Sequence, residues 1–275
     1  MLIPYQVDVP MQRWPIANWV LIGVTCILSI ALFPALSDWG AGRSRVMHTH
    51  IDHNTGDIIY EPTGSDATTI DYFLLQPNNF HAPQLLGAAF IHIGIGHLVG
   101  NMIFLWVFGN AINAKLGHIR YILFYLLAAI VVNLVYLILG PSMPCLGASG
   151  AIMAVVGAFL VVYPLNEISC FTFLIYRPVT FSLSSYWIIL LYIAFDIWGL
   201  ASSSSGGVAY ISHVTGFLFG AAAMAAAIRW NQVEPDSNER NLLEICNLVP
   251  QSQRQRNAAS EYSPKRKPIV TSARR

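Results

Sequence analysis

A chain of 275 residues that is 55% hydrophobic and only 11% charged is not composed like a soluble globule, in which about a quarter of the residues carry charge. Its formal net charge of +1 leaves no electrostatic footprint for nucleic acid. Four scattered cysteines, Cys26, Cys145, Cys170 and Cys246, exclude a disulfide-stapled scaffold.

Residues 1–16 hold Asp8, Arg13 and prolines and lack a small-residue cleavage site. They are expected to stay as a cytoplasmic segment and not to be removed as a signal peptide. A membrane span needs about 20 mainly apolar residues. Six stretches qualify or nearly so: 19–36, 85–112, 121–139, 146–162, 185–200 and 208–228. The fourth and fifth are short, but their neighbours make a membrane bundle the expected setting. Trp14 and Trp19 are placed as interfacial anchors for the first span.

A long first external loop, 37–84, follows that span. Within it, 46–51 and 57–60 flank the turn Asn54-Thr55-Gly56 and predict a hairpin. His48, His50 and His53 fall in this segment, but no thiol or paired carboxylate supports a metal there, and a solvated polar strand is the reading adopted. After Arg229 the character changes. Ser237 is expected to cap a short helix over 238–248, ended by Pro250. The remaining tail is polar, then basic, and reads as disordered, with anionic membrane lipid as its expected contact. The expected organisation is therefore a cytoplasmic segment 1–16, a membrane domain 17–230 and a cytoplasmic basic tail 231–275.

Lys and Arg placement sets orientation. Lys115 and Arg120 lie between spans two and three, Arg177 between four and five, and most remaining basic residues in the tail. The segments 140–145 and 201–207 carry none. Both termini are expected on the cytoplasmic side, in a bacterial inner membrane.

Three of the apolar stretches carry polar groups, which within a membrane are a functional-site hypothesis by default. The first has His92, His97 and Asn101; the last two, four apart, share a helical face and supply two donors suited to a developing oxyanion. Interhelical hydrogen bonding is the plainer reading of that pair. The second is Gly147-Ala148-Ser149-Gly150, where glycines allow close backbone approach and the serine is either a helix cap or a nucleophile. The third is His213-Val214-Thr215-Gly216 with Gly220, whose glycines form a face for close helix packing. If that face meets Gly150 and Gly157, His213 and Ser149 come to similar depth, and a serine next to a base becomes nucleophilic.

Taken together, H-x4-H-x3-N, then G-x-S-G, then H-x2-G-x3-G, each in a different span, resembles the rhomboid family of intramembrane serine proteases. The resemblance covers about 80–228 with the preceding span. It implies an all-α, six-transmembrane-helix rhomboid-like bundle with a cavity open to the outside. By that resemblance Ser149 is the nucleophile and His213 the base. His97, Asn101 and the Ser149 amide form the oxyanion hole. His92, Gly147, Gly150, Met153, Gly216 and Gly220 lie around the reacting groups. Met153 takes a place where the family often has an aromatic, Asn113 stands where a glutamate is common, and the family's Trp-Arg pair in the first loop is absent.

The implied substrates are single-span transmembrane proteins, and no cofactor or metal is required. No His-Glu-x-x-His motif supports a zinc protease. Asp196 is the sole acidic residue well inside a span, so an aspartyl dyad fails. Asp196 is expected to face the cavity or interfacial water, with no direct catalytic part. The alternative function is a catalytically inactive rhomboid-like protein that binds membrane helices. A transporter would show an inverted repeat or paired broken helices, and neither is apparent.

Overall fold

The computed structural model describes residues 3–45, 47–51, 58–62, 69–174, 176–202, 209–234 and 240–249. Pro15 opens the first helix: its carbonyl accepts from the amides of Asn18 (3.0 Å) and Trp19 (3.2 Å), and a proline at a helix start forfeits no helical bond. Helix α1 then runs Ile16–Arg45 with Pro34 inside it.

The second apolar stretch folds differently from the sequence reading. It does not start a span at 85. Gln84–Gly87 forms one turn, α2, fastened by the Gln84 amide, which donates to the carbonyls of Asp71 (2.6 Å) and Asn79 (3.1 Å). The chain is then extended at Ile91 and at Gly94. Only at Ile95 does the long helix begin: α3 (Ile95–Phe104), a π turn at Leu105–Gly109 and α4 (Asn110–Leu116). His92 therefore lies in the connection before the helix, while His97 and Asn101 lie in its first turns.

The remaining helices are α5 (His118–Leu139), α6 (Ser149–Val162), α7 (Ser185–Ala201) and α8 (Tyr210–Arg229). Among the described residues four helical segments are long and apolar enough to cross a membrane: Ile16–Ser37, Ile95–Leu116, His118–Leu139 and Tyr210–Arg229. The two shorter apolar helices, α6 and α7, fall where the short fourth and fifth stretches were expected. Every residue of α6 after Ser149 is buried. A helix apolar on all sides belongs in the middle of a bundle, and its 14 residues span only about 21 Å. Outward faces elsewhere are strongly apolar, with Ile119, Leu123, Ile138, Trp187, Phe195 and Leu218 exposed. Surface of that kind, in that quantity, suits lipid and not water.

Glycines bring α6 and α8 together backbone to backbone. A Cβ on Gly216 would overlap the Gly150 carbonyl, and one on Gly220 the Ala154 carbonyl. Reciprocally, a Cβ on Gly157 would overlap the Phe217 carbonyl.

A three-stranded antiparallel sheet flanks the helices, which the sequence reading did not anticipate. Its order is β1 (Ile3–Val7), β4 (Glu167–Leu174), β5 (Arg177–Ser184), with Ile3 opposite Phe171 and Glu167 opposite Ser184. Pro178 sits on the edge strand β5, where a missing N–H is tolerated. Inward-facing Ile168 and Cys170 are fully buried, a period of two that was visible in the sequence. The hairpin expected in the first loop is present: β2 (Met47–Ile51) pairs with β3 (Ile58–Pro62), Ile51 opposite Ile58. Its turn and His53 lie outside the described residues. The tail helix is shorter than expected. Helix α9 (Leu242–Ile245) is capped by Asn241, whose side-chain Oδ1 accepts from the Glu244 backbone N–H while the Glu244 carboxylate accepts from the Asn241 backbone N–H. This reciprocal box sets the helix start. Ser237 and Pro250 lie outside the described residues.

Candidate active site

Gly147 has φ +121°, a backbone region that residues with a Cβ rarely enter. A Cβ there would also lie 2.7 Å from Cε1 of His97. The turn is pinned by Gly147 N–H donating to the Ala88 carbonyl (2.8 Å) and by paired bonds between Leu75 and Cys145 (2.9 and 3.1 Å). It delivers Ser149 as the first residue of α6. Ala148 holds the capping position, and no side chain caps the helix. The Ser149 hydroxyl is thus not spent on the plainer role of a serine at a helix start.

His92 is fully buried and supports this turn. The Ser29 hydroxyl lies 2.9 Å from the Phe90 carbonyl and 2.9 Å from His92 Nδ1, and the Ala148 amide points at His92 Nε2 over a longer 3.4 Å. One assignment satisfies all three. Ser29 donates to Phe90, Nδ1–H donates to Ser29, and Nε2 accepts from Ala148. The hydroxyl at 29 was detectable as a polar group inside the first apolar run, but its partner was not.

The His97 ring packs edge-on against His92, with centroids 5.0 Å apart. It is near enough to His213 for the two imidazoles to interact electrostatically. One turn on, Asn101 is buried, and its Nδ2 has no hydrogen-bond partner among the described residues. Leaving a buried amide donor unpaired costs about 1–3 kcal/mol, so its persistence needs an explanation. Met153 is buried in α6.

His213 stands in the first turn of α8, one turn ahead of Gly216, which abuts Gly150. Its Nδ1 lies 3.0 Å from Oδ1 of Asp196 on α7. Both side chains are mostly shielded, 17% and 14% exposed. The expectation for Asp196 had been the cavity or interfacial water, without this contact. No hydrogen bond joins Ser149 to His213 among the described residues; such bonds often tighten only when substrate is bound. A small cavity borders the site between Asn133, Cys145, Leu146, Gly147, Ser149 and Ser212. Burial pushes the Cys145 thiol up to about 11. At neutral pH this group is a thiol and a poor rival nucleophile. Among the described residues no cluster of His, Cys, Asp and Glu has the makings of a metal site; His53 lies outside them.

Residues 79–230 match the family model of the Rhomboid domain, over half of the chain. The chain belongs to the rhomboid family. Among its relatives, mitochondrial Rhomboid protein 1 of Saccharomyces cerevisiae is 36% identical over 112 residues, covering 37% of this chain and 32% of that protein. Rhomboid protease GluP of Bacillus subtilis is 40% identical over 79 residues, covering 29% and 15%. The human mitochondrial presenilin-associated rhomboid-like protein is 37% identical over 97 residues, covering 33% and 25%. The matched part spans no more than about a third of the length of any of these relatives. This rhomboid protein is a multi-pass membrane protein, with relatives in both mitochondria and a bacterium.

Proposed function

We propose that this rhomboid protein is an intramembrane serine endopeptidase in which Ser149 is the nucleophile and His213 the general base. The observation that carries this reading is the Gly150–Gly216 backbone contact. It supports the reading by bringing the start of α6 beside the start of α8, where Gly150 also lies against Ser212.

In the first step His213 Nε2 takes the Ser149 proton as Oγ attacks the scissile carbonyl. The negative charge that develops on the carbonyl oxygen meets the Ser149 amide at the open start of α6, where helical N–H groups lack internal partners and the helix dipole is positive. The unpaired Asn101 amide and the His97 ring complete the donor set. On collapse of the tetrahedral intermediate His213 returns the proton to the leaving amine. Water then repeats the sequence on the acyl-enzyme. Gly147, Gly150, Gly216 and Gly220 act by close approach, His92 by supporting the turn, and Met153 by packing in the core of α6.

All six apolar helices cross the membrane in this reading. The basic residues at 115, 120, 177 and 229 mark the cytoplasmic side, so the site opens toward the outer face. A helical substrate keeps its carbonyls bonded internally. The cleaved segments are therefore single-span helices weakened by Gly, Pro or Ser near their outer end. Cleavage of a single-span reporter by purified wild-type protein, beside Ser149→Ala, tests the reading. Binding of the reporter without cleavage would leave the helix-binding alternative.

A further inference from the structure

A two-residue catalytic unit leaves open what chooses which nitrogen of His213 carries the proton. An imidazole can serve as base through only one nitrogen at a time, the other bearing the hydrogen. In this chain the choice is made by a third group. We propose that Asp196 is a positioning residue that accepts a hydrogen bond from His213 Nδ1–H, fixing the ring in the tautomer whose Nε2 lone pair faces Ser149. The inference rests on the reading of Ser149 and His213 as nucleophile and base.

The geometry is that of a directed bond between elements. Asp196 lies on α7 and His213 at the start of α8, joined by a connection that includes residues 203–208, outside the described residues. Their contact is 3.0 Å between Oδ1 and Nδ1. It is the hydrogen bond recorded for each of the two side chains among the described residues, and both are largely withdrawn from solvent. A carboxylate is acceptor-only when ionised, so it can face Nδ1 favourably only when that nitrogen carries hydrogen. Nε2 then has no recorded partner and is left to act as base.

During reaction the balance is simple. The Oγ–H bond of Ser149 breaks, the Nε2–H bond forms, and the new Oγ–C bond forms as the carbonyl π pair moves to oxygen. Asp196 takes no proton. It holds the ring in place and faces the positive charge that appears on it, as the buried carboxylate does in the serine-protease template. A plain interhelical tie between α7 and α8 would use the same contact, so the test must read something a tie does not control.

The test has two arms. In the first, purified full-length protein cleaves a single-span reporter, with Asp196→Asn, Asp196→Ala and Asp196→Glu compared with wild type. Asp196→Asn is expected to lower kcat about 10²–10⁴-fold with little change in KM, and Asp196→Glu to recover part of that loss. Wild-type kcat in both Asp196→Asn and Asp196→Ala would overturn the proposal. In the second arm, 15N NMR of His213 is recorded on substrate-free protein. Neutral wild-type His213 is expected to carry its proton on Nδ1, with Asp196→Asn shifting it toward Nε2. A proton on Nε2 in wild type would overturn the proposal whether or not cleavage is seen. If wild type cleaves nothing while Nδ1 carries the proton, the protease reading fails and the Asp196 assignment stands. Should the variants fail to fold, the wild-type spectrum decides.

Discussion

Asn18, packed against the apolar rod Ile95–Leu116, and Asn101, a residue of that rod, are both buried asparagines. Asn18, on α1, uses everything it has. Its backbone N–H donates to Asn113 Oδ1 (3.1 Å), its amide donates to the Leu105 carbonyl (2.9 Å) and Asn110 Oδ1 (2.8 Å), and its own oxygen accepts from the Tyr121 hydroxyl (2.5 Å). The π turn at 105–109 disturbs the regular helical ladder, and the Leu105 carbonyl within it is met by Asn18. Asn101, four residues before Leu105 in the rod, has a buried Nδ2 with no partner among the described residues. A saturated polar knot is what a membrane bundle needs for cohesion. An unsaturated buried donor is what an oxyanion needs before it exists. Pairing state, and not residue type or burial, separates the structural asparagine from the candidate catalytic one.

The largest expected effect is on the reacting pair. Ser149→Ala and His213→Ala should each abolish cleavage of a single-span reporter with the thermal unfolding profile retained, and the double variant should lose little more, because the two act as one unit. Substantial cleavage by either variant would remove the whole catalytic half of the comparison.

Next come the glycines that join the two helices. Gly216→Leu and Gly220→Leu place side chains where carbonyls of Gly150 and Ala154 already stand. Overpacking typically costs about 1–3 kcal/mol, and a displacement of about 1 Å between aligned groups can cost about 10² in rate. Activity should vanish even where the variant still folds. Near-normal turnover in a folded Gly216→Leu protein would show that α6 and α8 need not touch for the chemistry.

The two asparagines give the sharpest contrast. Asn101→Ala should lower kcat by about 10²–10³, the usual loss for one oxyanion donor, with a thermal midpoint close to wild type, since no bond is broken. Asn18→Ala should do the reverse. It strands the Leu105 carbonyl and the Tyr121 hydroxyl and should destabilise the fold by about 2–4 kcal/mol, with the folded fraction turning over at the wild-type rate. If Asn101→Ala proves the less stable variant and the more active one, the distinction by pairing state is wrong.

The smallest effect is expected at the tail. Asn241→Ala removes one arm of the box that starts α9 and should cost about 1 kcal/mol, read as local loss of hydrogen-exchange protection around Leu242–Ile245 with cleavage unaffected.

The helices were legible because hydrocarbon imposes a coarse rule, a long apolar run, that needs no knowledge of neighbours. The runs at 121–139, 185–200 and 208–228 each became a helix within a few residues. The rule failed at 85–94, where apolar composition was right but Gly94 and the extended residues around His92 break the helix. The Gly-Ala-Ser-Gly turn was legible as a candidate because glycine beside serine is a local signature. Its left-handed Gly147 and the imidazole packed on it were not.

By itself, then, the sequence determined an apolar helical chain, its family, and which serine and histidine to suspect. Those follow from local composition and short spacing. The tertiary structure alone decided that Asp196 meets His213, that Asn18 is saturated while Asn101 is not, and that residues 3–7 pair with 167–174. Each of these depends on groups from different elements, as far apart as Ile3 and Phe171 in the β1–β4 pairing. A hydrogen bond is specified by distance and direction between such groups, and neither is written in the order of residues along one segment.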